Sequence, residues 1–401
     1  MRGLSRARGR ATLSVRVLFV NGHGIDIRVG GAERYVADLE RGCRERGIGT
    51  AVLSAFPAAS DSPGVTVAAR YADDWRTSRS RRLRNYLGSF DARATPGLRT
   101  AILRAEPDVV HTSNLTGLTT GVWGACAQLG IPVVHTLHDY SLLCARTTLL
   151  SRDGSPCTRS RLGCCGVRAR RLGRWASSVG AVVGVSRHVL QAHEGFFPDA
   201  TPTHVVLHPR PAPPPNGHRP WPDRLTTVGY LGALDIVKGV DVLLAAVEPL
   251  SQLGIRVKIA GDGRLRANVE AAAGDCLLDY GGVVTGDGKS RFIAACDVGA
   301  VPSLWAEPGA PSFTVLEWLA AGRPVVCSLR GGLGEAARSL PGMIAVEPSV
   351  DAIVAACTRL VDPVEWKRAL GAAAAPVGVD GDHDRWLSDH VRVYEDLVRA
   401  V

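Results

Sequence analysis

Two glutamates flank a segment rich in proline and glycine in the second half of the chain. Nine residues separate Glu307 from Glu317, and Glu317 lies in an apolar stretch with helical periodicity. A carboxylate ahead of a helix and another in its first turns can accept hydrogen bonds from the hydroxyls of a sugar and of a ribose. Free backbone N–H groups between the two carboxylates can then bind a phosphate. The spacing therefore indicates a site for a sugar, a ribose and a phosphate around one helix start.

Glycines precede two further predicted helices, each just after a predicted strand. Gly30 and Gly31 follow the first strand, and the segment that begins at Gly232 and ends at Gly239 carries Lys238. A backbone without Cβ atoms lets a ligand approach closely, and an ammonium group next to a helix N-terminus is a component of a diphosphate site. Each of these glycine segments alone is equally compatible with a simple turn.

A histidine and a carboxylate end a predicted strand in the first half of the chain. His138 and Asp139 directly follow the apolar run that begins at Val134. Open α/β folds bind ligands at the carboxyl ends of their strands, so His138 could hydrogen-bond a sugar hydroxyl or stabilise developing charge. A histidine in this position also serves purely structural roles, and its sequence context does not decide between the two interpretations.

These candidate residues fall within a repeated alternation of β-branched apolar runs and stretches with helical periodicity. The alternation begins with a strand over 15–20, a helix over 32–46 and a strand over 50–54, and it restarts with a strand over 226–231. It predicts parallel sheets with crossover helices, and a chain of 401 residues exceeds what one hydrophobic core usually holds. We therefore expect an α/β protein with two doubly wound Rossmann-like domains that face each other across a cleft.

The predicted organisation has five parts. They are a basic tail over 1–14, a first domain over 15–207, a proline-rich linker over 208–223, a second domain over 224–375 and a closing helical segment over 376–401. In the closing segment the apolar side chains fall along one helical stripe, opposite a face that carries both signs of charge. We expect this helix to pack back on the first domain rather than on a membrane.

Taken together, the motifs resemble those of the family 4 retaining glycosyltransferases, which have the two-domain GT-B fold. The resemblance spans nearly the whole chain, and the motifs occur in the family's order. They are Gly30–Glu33, Pro107–His111, His138–Tyr140 with Leu142–Cys144, Gly232–Gly239, Gly261–Gly263 and Pro302–Gly332.

The resemblance implies roles for the candidate residues. Lys238 would contact the diphosphate of a nucleotide-sugar donor, Glu317 its ribose and Glu307 the transferred sugar. His138 would contact that sugar from the opposite side of the cleft, with Glu307 the second candidate catalytic residue. The remaining donor-binding candidates are Gly30, Gly31, Gly232, Ser312, Phe313 and Thr314.

The resemblance also implies a reaction. A sugar would move from a nucleotide-diphosphate sugar, bound mainly by the second domain, to a hydroxyl of an acceptor on the first domain, with retention of anomeric configuration. The acceptor would be an envelope glycan, a lipid-linked glycan or a small secondary metabolite. The fold does not normally require a metal, and no cofactor is expected apart from the donor as co-substrate.

Two positions depart from the family pattern. Seven residues usually separate the two glutamates, whereas nine do here, and Ala233 stands where the diphosphate motif usually has an arginine. Arg264 or Arg330 could hold the phosphates instead. The departures also motivate an alternative from another class, a non-catalytic glycosyltransferase-like protein that binds a partner enzyme or a glycan.

The net charge of +9 derives from 47 basic residues, only four of them lysine. Arginines are dense over 76–84 and 159–174. Such density indicates either attraction to an anionic membrane, a phosphorylated substrate or nucleic acid, or simply a solvated basic surface. No aromatic-interleaved RNA motif accompanies the charge, so no nucleic-acid partner is expected. Every apolar run is too short to cross a bilayer, and we expect a cytoplasmic protein, peripheral at most at the inner face of the membrane.

Four of the ten cysteines bunch in one predicted loop region. They are Cys144, Cys157, Cys164 and Cys165. Such enrichment is compatible with a structural zinc site, but adjacent cysteines are awkward as two ligands of one tetrahedral ion. Buried or free thiols are the main alternative, and a disulfide is a further one.

Overall fold

The computed structural model describes residues 15–23, 30–54, 65–66, 95–116, 118–151, 154–157, 164–211, 221–274, 278–374 and 382–400. Within these ranges the chain forms two parallel β-sheets with helices packed against them. This arrangement confirms the predicted α/β fold with two Rossmann-like domains.

The first domain alternates strands and helices around a sheet of seven strands. Its strands are β1 (Arg16–Asn21), β2 (Gly49–Ser54), β3 (Val65–Thr66), β4 (Val109–Thr112), β5 (Val133–Leu137), β6 (Ala181–Gly184) and β7 (Thr203–Val205). Its helices are α1 (Gly31–Glu45), α2 (Thr95–Ala105), α3 (Gly121–Leu129), α4 (Cys164–Leu172) and α5 (Arg187–Ala192). The strand order is β3-β2-β1-β4-β5-β6-β7, and every pair is parallel.

The second domain repeats the same plan. Its strands are β8 (Thr227–Leu231), β9 (Arg256–Ala260), β10 (Leu278–Tyr280), β11 (Val298–Val301), β12 (Val325–Ser328) and β13 (Met343–Val346), in the order β10-β9-β8-β11-β12-β13. Its helices are α6 (Val240–Gln252), α7 (Arg266–Ala273), α8 (Gly286–Ala294), α9 (Phe313–Ala320), α10 (Gly331–Ala337), α11 (Val350–Val361) and α12 (Pro363–Ala374). A 3₁₀ turn at Ile236–Lys238 precedes α6.

The central strands are buried on both faces, which explains why apolar residues dominate their sequences. In β1, Val17, Leu18 and Val20 are fully buried, and Val17 lies opposite Val109 of β4. The sequence pattern predicts a helix over 118–129, and α3 starts three residues later than that, at Gly121. Thr119 has a φ of 60°, in the left-handed region, and this breaks the helical backbone just before Gly121.

The last helix, α13 (Asp382–Ala400), packs on the first domain, where it contacts α1 and β4. The Tyr35 hydroxyl and His390 Nε2 are 2.6 Å apart, and Tyr394 bonds His111 of β4 in the same buried layer. The chain therefore returns to its first domain after completing the second. No helix in the described ranges is both long and apolar enough to cross a membrane.

Several predicted segments lie outside the described residues. They are the basic tail over 1–14, the arginine-rich stretch over 76–84 and the central part of the proline-rich linker, 212–220.

Candidate functional site

The candidate residues gather where the carboxyl ends of the two sheets face each other. β5 delivers His138 from the first domain, while β8 leads into Gly232 and β11 leads into the loop that carries Glu307. Parallel strands place all such loops at one edge of each sheet, which is where open α/β folds bind ligands. The Tyr140 hydroxyl donates to the carbonyl of Ala306 at 2.6 Å, which joins the two edges directly.

The buried Glu307 forms an ion pair with the half-buried Lys238. Lys238 Nζ lies 2.7 Å from Glu307 Oε1, and the Ser303 hydroxyl donates to the same oxygen at 2.6 Å. Burial raises the pKa of the Glu307 carboxyl, but the charge of Lys238 and these hydrogen bonds outweigh it and hold that pKa below its usual value. The site therefore presents an ionised carboxylate and an ammonium group side by side.

Glu317 is held by cations from both domains. Arg34 of α1 and Lys289 of α8 both bond Glu317 Oε1, Lys289 at 2.6 Å. Arg34 belongs to the first domain and Lys289 to the second. Only 12% of the Glu317 side chain is exposed, so this cluster lies inside the cleft.

The start of α9 lies against the glycine-rich start of α1. Ser312 is the N-cap of α9, its side chain makes no capping hydrogen bond, and its Oγ is buried without a partner. A Cβ added at Gly31 would meet the Phe313 ring at 3.5 Å. Thr314 follows on the same half-buried turn, and no side-chain cap competes for the N–H groups at this helix start.

His138 is neutral, and one of its ring nitrogens has no hydrogen-bond partner. Burial, reinforced by neighbouring histidines, holds the pKa of His138 well below its usual value. Its Nε2 is buried and has no hydrogen-bond partner, and its ring packs edge-on against Tyr35, 4.6 Å between centroids. A neutral imidazole with one unsatisfied nitrogen can bond a sugar hydroxyl.

Two family models cover consecutive parts of the chain. Residues 29–214 match the model described as Glycosyltransferase Family 4, and residues 226–363 match the model described as Glycosyl transferases group 1. The chain belongs to glycosyltransferase family 4.

Solved structures of other proteins share the whole fold of this family 4 member. Sucrose-phosphate synthase from Thermosynechococcus elongatus superposes with a TM-score of 0.74 at 17% identity, covering 96% of this chain and 100% of that one. HepE from Anabaena, solved with UDP, gives a TM-score of 0.70 at 17% identity and the same coverage. These similarities show the GT-B fold.

A curated relative is an uncharacterized 42.6 kDa protein in the cps region of Klebsiella pneumoniae. It is 26% identical over 264 residues, and the match spans 62% of this chain and 65% of that protein.

In this family 4 member, glycines shape the loops around Lys238. A Cβ at Gly261, where φ is 145°, would come within 1.8 Å of the Gly232 carbonyl oxygen. A Cβ at Gly239, where φ is 71°, would come within 2.0 Å of the Pro302 carbonyl oxygen. Both positions therefore require glycine so that neighbouring loops can touch.

The lengthened loop after Glu307 reaches the first domain. The Ser186 hydroxyl donates to the Pro308 carbonyl, and the N–H of Ala310 donates to the Val185 carbonyl at 3.2 Å. The N–H of Gly332 holds the loop's start through the Glu307 carbonyl at 2.6 Å. The longer spacing between the two glutamates thus accompanies a direct connection between the domains.

Three residues that the sequence motifs did not single out belong to this site. Arg34 and Lys289 bind Glu317, and His208, assigned to the linker, stacks its ring on Phe313 with 4.3 Å between centroids. His208 therefore packs in the cleft rather than in a free linker. Arg34 lies one helical turn after Gly31, and this spacing is the sequence feature that could have identified Arg34 as a site residue.

The two arginines expected to compensate for Ala233 have other partners. Arg264 bonds Asp235 through Nε at 2.9 Å, and it is 81% exposed. Arg330 donates to the Leu304 carbonyl at 2.9 Å and lies 3.4 Å from Glu347. Neither lies against the start of α9 in the way that Arg34 does.

The cysteine-rich region shows no metal site within the described residues. No group of three or more His, Cys, Asp or Glu side chains is placed there to hold a metal ion. Cys144 is buried, and Cys144 and Cys157 are free thiols. The side chain of Cys164, the fourth zinc candidate, lies outside the described part of the structure.

Proposed function

We propose that this protein is a retaining glycosyltransferase that moves a sugar from a nucleotide-diphosphate sugar to a hydroxyl acceptor. The observation that carries the proposal is the start of α9, with its uncapped N–H groups between Glu317 on one side and the Glu307–Lys238 pair on the other. This arrangement offers acceptors for ribose and sugar hydroxyls and donors for phosphate within one cleft. Retention is proposed from the family pattern of the motifs.

The chemistry rests on the departure of the nucleoside diphosphate. As the bond between the anomeric carbon and the phosphate oxygen breaks, positive charge develops on the sugar and negative charge on the leaving phosphate. Lys238 and the N–H groups at the start of α9 would stabilise the leaving phosphate. Glu307 and His138 would hold the sugar hydroxyls from opposite domains and so fix the reacting geometry.

Relatives guide the choice of donor and acceptor. HepE structures contain UDP and glucose or UDP-glucose, and a starch synthase structure contains ADP and acarbose. WaaB is a lipopolysaccharide outer core galactosyltransferase. We propose a UDP- or ADP-sugar donor, and an acceptor that is an envelope glycan, a lipid-linked glycan or a secondary metabolite.

We also propose a cytoplasmic enzyme with reversible contact to an anionic membrane. Arg170, Arg171 and Arg174 are exposed around the end of α4, and no acidic residue occurs over 164–178. Such a patch attracts anionic headgroups and loses that attraction in salt. Co-sedimentation with vesicles containing phosphatidylglycerol, at low and at high salt, tests this contact.

A thermal-shift panel of nucleoside diphosphates and their sugar conjugates tests the function. A ligand that binds only the folded protein raises its melting temperature, so a hit identifies the donor class. The purified protein with that donor should then label acceptor hydroxyls, and NMR of the product would show the anomeric configuration. No shift with any conjugate would instead favour a non-catalytic binding protein, for which Ala233 and the longer Glu307 loop would be the reasons.

A further inference from the structure

Arg34 brings a positive charge from the first domain to the donor-binding edge of the second. It lies on α1, one turn after Gly31, and its guanidinium bonds Glu317. The guanidinium carbon also lies 4.6 Å from the centroid of the Phe313 ring, the first residue of α9. Arg34 therefore lies beside both the carboxylate assigned to ribose and the helix start assigned to phosphate.

The other cations near the site are engaged in ways that leave the diphosphate short of positive charge. Lys238 is paired with buried Glu307, and Arg264 is paired with Asp235. Ala233 supplies no charge. A diphosphate carries at least two negative charges, and a planar guanidinium matches its oxygens better than a second ammonium group would.

Glu317 has two cations on one oxygen, which a bound ribose would disturb. Arg34 and Lys289 both bond Oε1 of Glu317. Ribose hydroxyls that donate to this carboxylate compete for its lone pairs, while Lys289 remains available to neutralise it. Arg34 and Lys289 are about equally exposed, at 34% and 32%, but Arg34 also contacts the Phe313 ring at the start of α9. Arg34 is therefore the partner that side-chain rotation can move from Glu317 to a phosphate bound there.

We propose that Arg34 is a donor-positioning residue that exchanges partners when a nucleotide sugar binds, leaving Glu317 to the ribose and moving to the diphosphate at the start of α9. The inference rests on the proposed function and adds a residue to it. Because Arg34 lies on the first domain and α9 on the second, the exchange would tie the two domains together through the phosphates.

The test measures binding by calorimetry to uridine, UMP and UDP, and to the adenosine series, for the wild type and three variants. Arg34→Gln should weaken diphosphate binding about 10- to 100-fold, weaken monophosphate binding less and leave nucleoside binding unchanged or tighter. Arg34→Lys should recover part of the diphosphate affinity. The control is Arg44→Gln, at an exposed arginine on the same helix that pairs with the buried Glu40 and not with Glu317. This variant should bind all ligands like the wild type.

The dependence on phosphate number separates this role from a structural one. If Arg34→Gln weakens nucleoside, monophosphate and diphosphate equally, Arg34 only holds the domains together and the inference fails. If it binds the diphosphate as the wild type does, the inference also fails while the proposed function stands. Failure of the wild type itself to bind any nucleoside diphosphate would overturn both.

Discussion

At the scale of single residues, Glu317 and His138 should affect different kinetic steps. Glu317 lies where a ribose would bind, so Glu317→Ala should weaken donor binding by about 10-fold or more. His138 lies on the other domain with an unpartnered Nε2, so His138→Ala should lower kcat by about 100-fold and change donor affinity little. Steady-state kinetics with the donor found by thermal shift measures both, and unchanged kinetics in both variants would contradict the site.

Lys238 should also affect the stability of the fold, because its partner Glu307 is buried. Lys238→Met leaves the Glu307 carboxylate without its cation, so the free energy of unfolding should fall by about 1–3 kcal/mol at pH 7. Without Lys238, burial raises the pKa of Glu307, and the deficit should therefore shrink as the pH is lowered and the carboxyl is protonated.

Urea unfolding of Lys238→Met at several pH values measures this effect. The double variant Lys238→Met/Glu307→Gln is the matched control. It also removes the unpaired Glu307 carboxylate, so it should regain part of the lost stability. A single variant as stable as the wild type at pH 7 would show that the pair is not stabilising.

At the scale of elements, the β8–β9 edge depends on glycine. Gly261→Ala would place a Cβ 1.8 Å from the Gly232 carbonyl oxygen, so either the loop or the diphosphate motif must shift. We expect a loss of about 2 kcal/mol or more in unfolding free energy together with weaker donor binding.

Gly254→Ala is the control for Gly261→Ala. Gly254 also has a positive φ, 73°, but a Cβ there would meet nothing within 4 Å. Gly254→Ala should therefore lower the unfolding free energy by only about 1 kcal/mol, through backbone strain, and leave donor binding unchanged. Equal losses in the two variants, measured by urea unfolding, would show that the contact with Gly232 is unimportant.

The elements themselves were predictable because apolar residues dominate the central strands and glycine or polar residues bound them. Lys238, Glu307 and His138 were predictable as site candidates because each belongs to a motif that directly follows a predicted strand. Arg34 and His208 were not, because their partners depend on how the two domains face each other. Arg34 and Glu317 are 283 positions apart, and no local pattern encodes that meeting.

At the scale of the whole molecule, the two domains and the closing helix are joined by contacts that span most of the sequence. Glu335 of α10 accepts hydrogen bonds from the backbone N–H groups of Arg187 and His188 at the start of α5. His390 of α13 bonds Tyr35 of α1 in the layer beneath the cleft. The contact between α10 and α5 and the return of α13 to the first domain therefore both hold the second domain against the first.

That buried layer contains neutral histidines, and this should make the whole molecule sensitive to acid. Burial lowers the pKa of His208 and His390 to about 4 and that of His135 to about 3, and it lowers those of His111 and His138 in the same direction. In the unfolded chain the same side chains bind protons near pH 6.5.

Between pH 6.5 and about 4 the unfolded chain therefore binds more protons than the folded protein. Stability should be greatest above pH 6.5 and fall as the pH is lowered through this window, by roughly 1.4 kcal/mol per pH unit for each such histidine. Urea unfolding of His390→Asn at several pH values should show that its unfolding free energy falls less steeply with decreasing pH, by about that amount per pH unit. Its stability at neutral pH should nevertheless be lower than that of the wild type. His383→Asn, at an exposed position on the same helix, should keep the wild-type slope, and equal slopes in all three proteins would show that the buried layer does not titrate in this way.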